Sequence, residues 1–247
     1  MRKLVCAIGA GLMALCLSAP QAQANVLIGG TRVVFPAKDG EVTVRLTNDN
    51  DHPVLVESWI DRGDVHSTPE SVDVPFLITP PLFRMEPKKE QSLRVVFTHE
   101  QLPADRESLF WLNVLEVPPK PTGPQAEGQN LLQLALRSRL KLFYRPTGLQ
   151  GDPLKAPGAL TWKIVADGKG FALEAHNPTP YHVTISELSV ASGGNNVGAE
   201  IGMVAPLSDL RLPLHGNSQK PAAGSVVSFS AINDYGAADS YKSTVSP

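Results

Sequence analysis

The sequence predicts an all-β fold built as two β-sandwich domains in series, and three observations carry that prediction. Short stretches of alternating apolar and polar residues recur along the chain, separated by clusters of Gly, Pro, Asn and Asp. No stretch sustains a helical period that would compete with them. Once an export segment is set aside, 223 of the 247 residues remain. That is too long for one sandwich of about 100 residues and comfortable for two.

The export segment comes first. Met1-Arg2-Lys3 is a short cationic start, Leu4 to Leu17 an apolar run, and Ala22-Gln23-Ala24 a small-x-small cleavage signal. The mature chain is therefore expected to begin at Asn25, with residues 1–24 removed. The apolar run is shorter than the roughly 20 residues a membrane span needs, and no later stretch qualifies. Leu15, directly before Cys16, is too bulky for a lipidation signal. Export as a soluble protein, with no membrane insertion, is the expectation. Both cysteines, Cys6 and Cys16, leave with that segment. A mature chain without them has no disulfide, no thiol nucleophile, no CxxC centre and no cysteine-bound metal. Arg2 and Lys3 leave too, so 20 basic residues face 24 acidic ones. Nothing in that balance supplies the basic field that nucleic acid or an anionic membrane requires.

The strand candidates then follow in order. Thr31 to Phe35 comes first, and Glu41 to Leu46 runs into the turn-forming cluster Thr47 to Asp51. Val54 to Ile60, Ser92 to Thr98 and Leu109 to Val117 continue the pattern, the last closed by Pro118-Pro119. Pro118 to Asn130 reads as a loop. Gln129 to Tyr144 reads as one strand of about 16 residues, against a common length of about 5–6. At roughly 3.3 Å per residue it would extend about 50 Å. Arg145-Pro146-Thr147-Gly148 ends it and separates an N-terminal domain, 25–146, from a C-terminal one, 147–247. In the second, Ala159 to Val165, Gly170 to Ala175, Tyr181 to Leu188 and Val226 to Ile232 are the strand candidates.

Within the long strand, alternation puts Leu132, Leu134 and Leu136 on one face and Gln133, Ala135 and Arg137 on the other. The leucines are either part of their own domain's core or an open edge offered to a foreign strand, which proteins normally guard against. Arg32 and Lys141, taken singly, read as solvated charges, and nothing in spacing brings them together. No enzyme is indicated. The six histidines, His52, His66, His99, His176, His182 and His215, form no HxH or HExxH pair, and no GxSxG elbow is present. All six read as isolated turn or surface residues. Asn48-Asp49-Asn50-Asp51 lacks the spacing and trailing glutamate of a calcium loop and reads as a strand connection. No catalytic residue, metal or cofactor is expected.

Several ordered motifs resemble one family. Asp105-Arg106-Glu107-Ser108-Leu109-Phe110, Pro118-Pro119 and Lys141-Leu142-Phe143-Tyr144-Arg145-Pro146 are similar to the signature of periplasmic pilus-assembly chaperones. Asn177-Pro178-Thr179-Pro180-Tyr181-His182-Val183-Thr184 and Ile232-Asn233-Asp234-Tyr235-Gly236 resemble that family's second-domain motifs, and Thr31 to Phe35 and Thr47-Asn48-Asp49 fit near its start. The similarity runs from about Asn25 to Gly236. It implies two immunoglobulin-like domains set in an L or boomerang shape with a cleft between them. By the resemblance, Arg32 and Lys141 grip the C-terminal carboxylate of a pilus subunit. Leu132, Leu134 and Leu136 are lent to that subunit's groove, and Glu107, Arg145 and Asp234 form a charge cluster that sets the domain angle. The implied partners are pilus subunits and the outer-membrane usher, with self-association possible when the chain is free. The short, cysteine-free loop resembles the short-loop subclass (F1–G1 in the family's strand names) that serves rod-like pili. Two departures stand out. Many members carry a second-domain disulfide that this chain lacks, and strict alternation sets Lys141 opposite Leu136, so a bulge or strong twist is expected between them. The competing assignment is an exported immunoglobulin-like adhesin or structural pilus component, for which Arg32, Lys141 and the leucines would be dispensable.

Overall fold

The computed structural model describes residues 26–120, 132–168, 170–216 and 219–247. The export signal expected at 1–24 lies outside them, as does most of the loop expected at Pro118 to Asn130. The described residues form two β-sandwiches and contain no α-helix.

The first sandwich has nine strands: β1 (Val26–Ile28), β2 (Arg32–Pro36), β3 (Glu41–Asn48), β4 (Val54–Asp61), β5 (Phe76–Thr79), β6 (Leu82–Met85), β7 (Glu90–Phe97), β8 (Ser108–Val117) and β9 (Leu136–Arg145). They pair as β1-β3-β7-β5 and β2-β9-β8-β4-β6. Inward residues of both sheets make one core, in which Leu46, Leu93, Leu112 and Leu142 are fully buried, each contributing about 1.5–3 kcal/mol. At one end Phe35, Phe76, Phe97, Phe110 and Tyr144 interlock, mostly edge-on, with Phe76 and Phe110 at 4.9 Å. Asn48 secures the turn after β3: its side-chain amide donates to the carbonyls of His52, Met85 and Glu86, and its oxygen accepts from Asn50. The Asn48–Asp51 cluster is thus the strand connection expected of it.

The second sandwich has eight strands: β10 (Thr161–Asp167), β11 (Gly170–Asn177), β12 (Val183–Ser192), β13 (Asn195–Gly198), β14 (Met203–Val204), β15 (Ser208–Pro213), β16 (Val226–Ile232) and β17 (Ala238–Thr244). They pair as β10-β11-β15 and β13-β12-β16-β17, with β14 on β12. Trp162, Leu173, Ile185, Val190, Val227 and Phe229 centre its core. With no disulfide among the described residues, apolar burial carries this domain. The first core reaches to Tyr144 and the second begins at Ala156.

One pairing positions the site. β2 runs parallel to β9, from Arg32 beside Lys141 to Pro36 beside Arg145. On its other side β9 pairs with β8 from Ser108 opposite Tyr144 to Glu116 opposite Leu136. Among the described residues, the stretch 136–140 therefore has a neighbouring strand on one side only.

Candidate functional site

The long strand is shorter than the sequence predicts. It begins at Leu136; Leu132 and Leu134 precede it outside any strand, and residues 129–131 lie outside the described set. The reason is on the neighbouring strand. β8 ends at Val117 and Pro118-Pro119 follow, so β8 offers no further ladder partner to the residues before Ala135. The leucines are not core residues of this chain: Leu132, Leu134 and Leu136 are 84%, 71% and 51% exposed. The bulge expected between Leu136 and Lys141 is also absent. The β8–β9 register is continuous, so Leu136 shares the inward face with Leu140, Leu142 and Tyr144 but stands past the end of the sandwich. Arg137, Arg139, Lys141, Phe143 and Arg145 take the outer face, toward the second domain at their C-terminal end.

The parallel register brings Arg32 and Lys141 side by side across more than a hundred positions of chain. Arg32 donates from Nη1 to the Ile232 carbonyl in the second domain at 2.9 Å and lies over the Phe143 ring. Its Nε is buried with no acceptor. Lys141 Nζ donates to Thr184 Oγ1 at 3.2 Å and lies near the Trp111 ring. Among the described residues neither cation has a carboxylate within ion-pair distance. Burial, and secondarily the Arg32 charge, pushes the Lys141 ammonium down to about 8. Burial also lowers Arg32, against the opposing pull of Asp234. Two half-buried like charges held together without an anion are poised to take one.

Glu107, Arg145 and Asp234 meet across the domain boundary. Arg145 forks, donating from Nε to Glu107 Oε1 at 2.8 Å and from Nη1 and Nη2 to Asp234 at 2.7 and 3.0 Å. Burial opposes the Arg145 charge, but the hydrogen bonds to Asp234 and the field of both carboxylates hold it above its ordinary value. Glu107 is buried; its Oε2 accepts from the His182 backbone N–H at 2.7 Å and contacts His182 Nδ1 at 3.1 Å. His182 is therefore not the surface residue the sequence suggests: its side chain is buried between Glu107 and the Phe143 ring. The turn after β16 closes onto Thr31. Gly236 sits there at φ +86°, where a Cβ would come 2.5 Å from Thr31 Oγ1, so only glycine fits. Sequence reasoning gave no role to Thr31, His182 or Thr184, although each lies within a quoted motif. Arg145→Met should leave the buried Glu107 with the His182 donors but without its cation. A loss of about 2–3 kcal/mol of stability is expected, below the full cost of stranding a buried charge. Denaturant unfolding measures it, and an unchanged midpoint would show the cluster to be dispensable.

Comparison with known proteins follows the same division of the chain. Residues 25–150 match the N-terminal domain of the pili and flagellar-assembly chaperone PapD, and residues 155–243 match the C-terminal domain of the pili assembly chaperone PapD. The chaperone protein FimB/FhaD of Bordetella pertussis is 46% identical over 245 residues, 98% of this chain and 96% of its own. The crystal structure of the YadV chaperone superposes with a TM-score of 0.76 at 40% identity, covering 90% of this chain and 100% of that one. A Salmonella enterica structure of the SafA pilin in complex with the SafB chaperone matches with a TM-score of 0.73 at 29% identity, over 92% and 99% of the two chains. The two sandwiches and the motifs that join them are those of a non-enzymatic binding protein, and the chain belongs to the PapD family of pilus-assembly chaperones.

Proposed function

We propose that this chain captures pilus subunits in the periplasm by lending them the open edge of β9, and passes them to the outer-membrane usher. One observation carries the reading: the single-sided stretch of β9 ends at Lys141, where two cations stand together without an anion. A client strand laid along 132–140, with its C-terminal carboxylate at Arg32 and Lys141, takes the position in line with β2. It must then run parallel to β9, because its last residue lies at the C-terminal end of that stretch. Leu132, Leu134 and Leu136, exposed in the free chain, fill the client's groove and gain about 1.5–3 kcal/mol each. The carboxylate fixes register, since a one-residue slip would turn every leucine out. SafB, found in complex with the SafA pilin, supports a pilin as the client.

The remaining assignments belong to the same proposal. Residues 1–24 are the cleaved export signal, 25–146 and 147–247 the two chaperone domains. The Glu107–Arg145–Asp234 cluster sets the angle between them. The short cysteine-free segment after Pro118 resembles that of the short-loop subclass serving rod-like pili, and the proposal assigns the chain there. Three exposed leucines give the free chain a reason to self-associate. Displacement of the lent strand by another subunit at the usher needs no nucleotide.

A synthetic peptide matching the pilin's C-terminal strand tests the anchor. The free acid should bind at least about tenfold more tightly than its amide, the worth of one charge-assisted hydrogen bond. pH adds a second signature. Lys141 titrates near 8 in the free chain, and a bound carboxylate raises that value. Acid-peptide affinity is then flat where Lys141 is charged in both states and falls as pH rises through 8, by at most about tenfold per unit. Calorimetry above pH 8 should register proton uptake. Equal affinity of acid and amide removes the anchor.

A further inference from the structure

The outer face of β9 carries a second constellation, upstream of the cleft cations. Asp61, the last residue of β4, has a side chain only 2% exposed. Four residues donate to it: Arg139 from Nη2 at 2.5 Å, Gly63 from its backbone at 2.6 Å, Asn113 from Nδ2 at 2.8 Å and Ser67 from Oγ at 3.0 Å. Burial alone would raise the Asp61 carboxyl, but these donors, Arg139 foremost, hold it below its ordinary value, so it is ionised at neutral pH. Asn113 passes the order outward, its Oδ1 accepting from Arg137 Nη2 at 2.7 Å and Nε at 2.9 Å. Arg137 also donates to the Val65 carbonyl at 2.8 Å. Each arginine lies over an indole: Arg137 over Trp59 at 4.7 Å and Arg139 over Trp111 at 4.4 Å.

A buried carboxylate is a costly way to stabilise a sandwich, because well-packed apolar residues commonly serve as well or better. Its location indicates what it serves. Arg137 and Arg139 are the two outer-face residues of the stretch 136–140, the part of β9 with β8 on one side and no strand on the other. An edge with half its ladder and an exposed leucine at its tip should fray. Here both outer side chains are tied through Asp61 and Asn113 to β4 and β8 and pinned on tryptophans. The free backbone groups of the edge are thereby held in place.

We infer that Asp61 is a positioning residue for the lent edge: through Arg139, and through Asn113 to Arg137, it holds 136–140 against β8 in the geometry a client strand must pair with. The inference rests on the reading of β9 as the lent strand. Asp61 touches no client; its effect is pre-organisation, which lowers the ordering cost at capture.

Asp61→Asn keeps the shape and removes the charge, and Arg137→Gln tests the outer link at a more exposed position. Amide hydrogen exchange of the free chain is read first. In both variants, amides within 136–140 that pair with β8 should exchange at least about tenfold faster, while β3 and β7 keep their protection. Association of the free-acid pilin peptide should slow severalfold, with its preference over the amide unchanged because Arg32 and Lys141 are intact. A uniform rise in exchange across the first sandwich would make Asp61 a general stabiliser and overturn the inference. So would unchanged exchange at 136–140. Local fraying without slower association would instead overturn the lent-edge reading, and the inference with it.

Discussion

Lys141→Glu is expected to abolish pilin capture while leaving the chain folded. The substituted carboxylate would face Arg32, its neighbour in the parallel register. It would replace a pair of like charges with a pair of opposite ones, which offsets the loss of the Lys141–Thr184 hydrogen bond. The client loses on two counts. Its terminal carboxylate forfeits the charge-assisted hydrogen bonds of both cations, about 1.5–3 kcal/mol each, because Arg32 is now neutralised. It also meets a negative charge in a partly desolvated cleft. The sum corresponds to at least about a thousandfold in affinity. Arg32→Glu should act in the same direction but is the less clean experiment, since it also strips the Ile232 backbone carbonyl of its donor. Co-expression with a pilin reads the effect as disappearance of the subunit from the periplasm, and thermal unfolding of the variant checks the fold. Normal pilin levels with a folded Lys141→Glu chain would end the carboxylate-anchor reading.

The two cations also illustrate what the sequence can and cannot disclose. Periodicity found the strands on which Arg32 and Lys141 stand, because alternation is a local consequence of having one buried face. Their adjacency is a property of a parallel pairing more than a hundred positions apart, and only the resemblance to a known family suggested it. The short strands β5 and β6 went unrecognised because four residues between prolines are too few to display a period. Asp61 was hidden for a different reason. Trp59-Ile60-Asp61-Arg62-Gly63 reads as a strand running into a turn, where an aspartate is ordinary. Asn113, the polar residue within the apolar run Leu109 to Leu115, was the available signal of a buried network. His182 misled because its tandem turn residues Pro178 and Pro180 suggest a surface loop, while Glu107 reaches over from the other domain to bury it.

The overlong strand is the more instructive difference. Alternation continues through Leu132 and Leu134, yet the ladder stops at Leu136. A sequence pattern records every partner a strand must satisfy, whereas the free chain supplies only its own. On the proposed function, the described residues that precede the ladder, 132–135, are written for a client.

Leu134→Glu tests that statement with the sharpest separation of effects. Leu134 is 71% exposed and outside any strand in the free chain, so the substitution should change its stability by no more than about 0.5 kcal/mol. On the proposed reading, the same position enters the client's apolar groove in the complex. The substitution gives up about 1.5–3 kcal/mol of burial and adds the desolvation of a carboxylate, several kcal/mol more. A loss of capture of about a thousandfold or greater follows. A client could evade the glutamate by slipping two residues along β9, which keeps the leucine face inward, but its carboxylate would then move roughly 6–7 Å from Lys141. The anchor therefore closes the escape that the two-residue period leaves open. The two accounts of the leucines separate on a single pair of measurements, the melting temperature of the variant and the pilin recovered with it. Were Leu134 a core residue, melting would fall and capture would follow only in proportion. For a lent side chain, melting stays and capture is lost, and a variant that melts normally and still recovers its pilin would show that 132–136 are lent to no one.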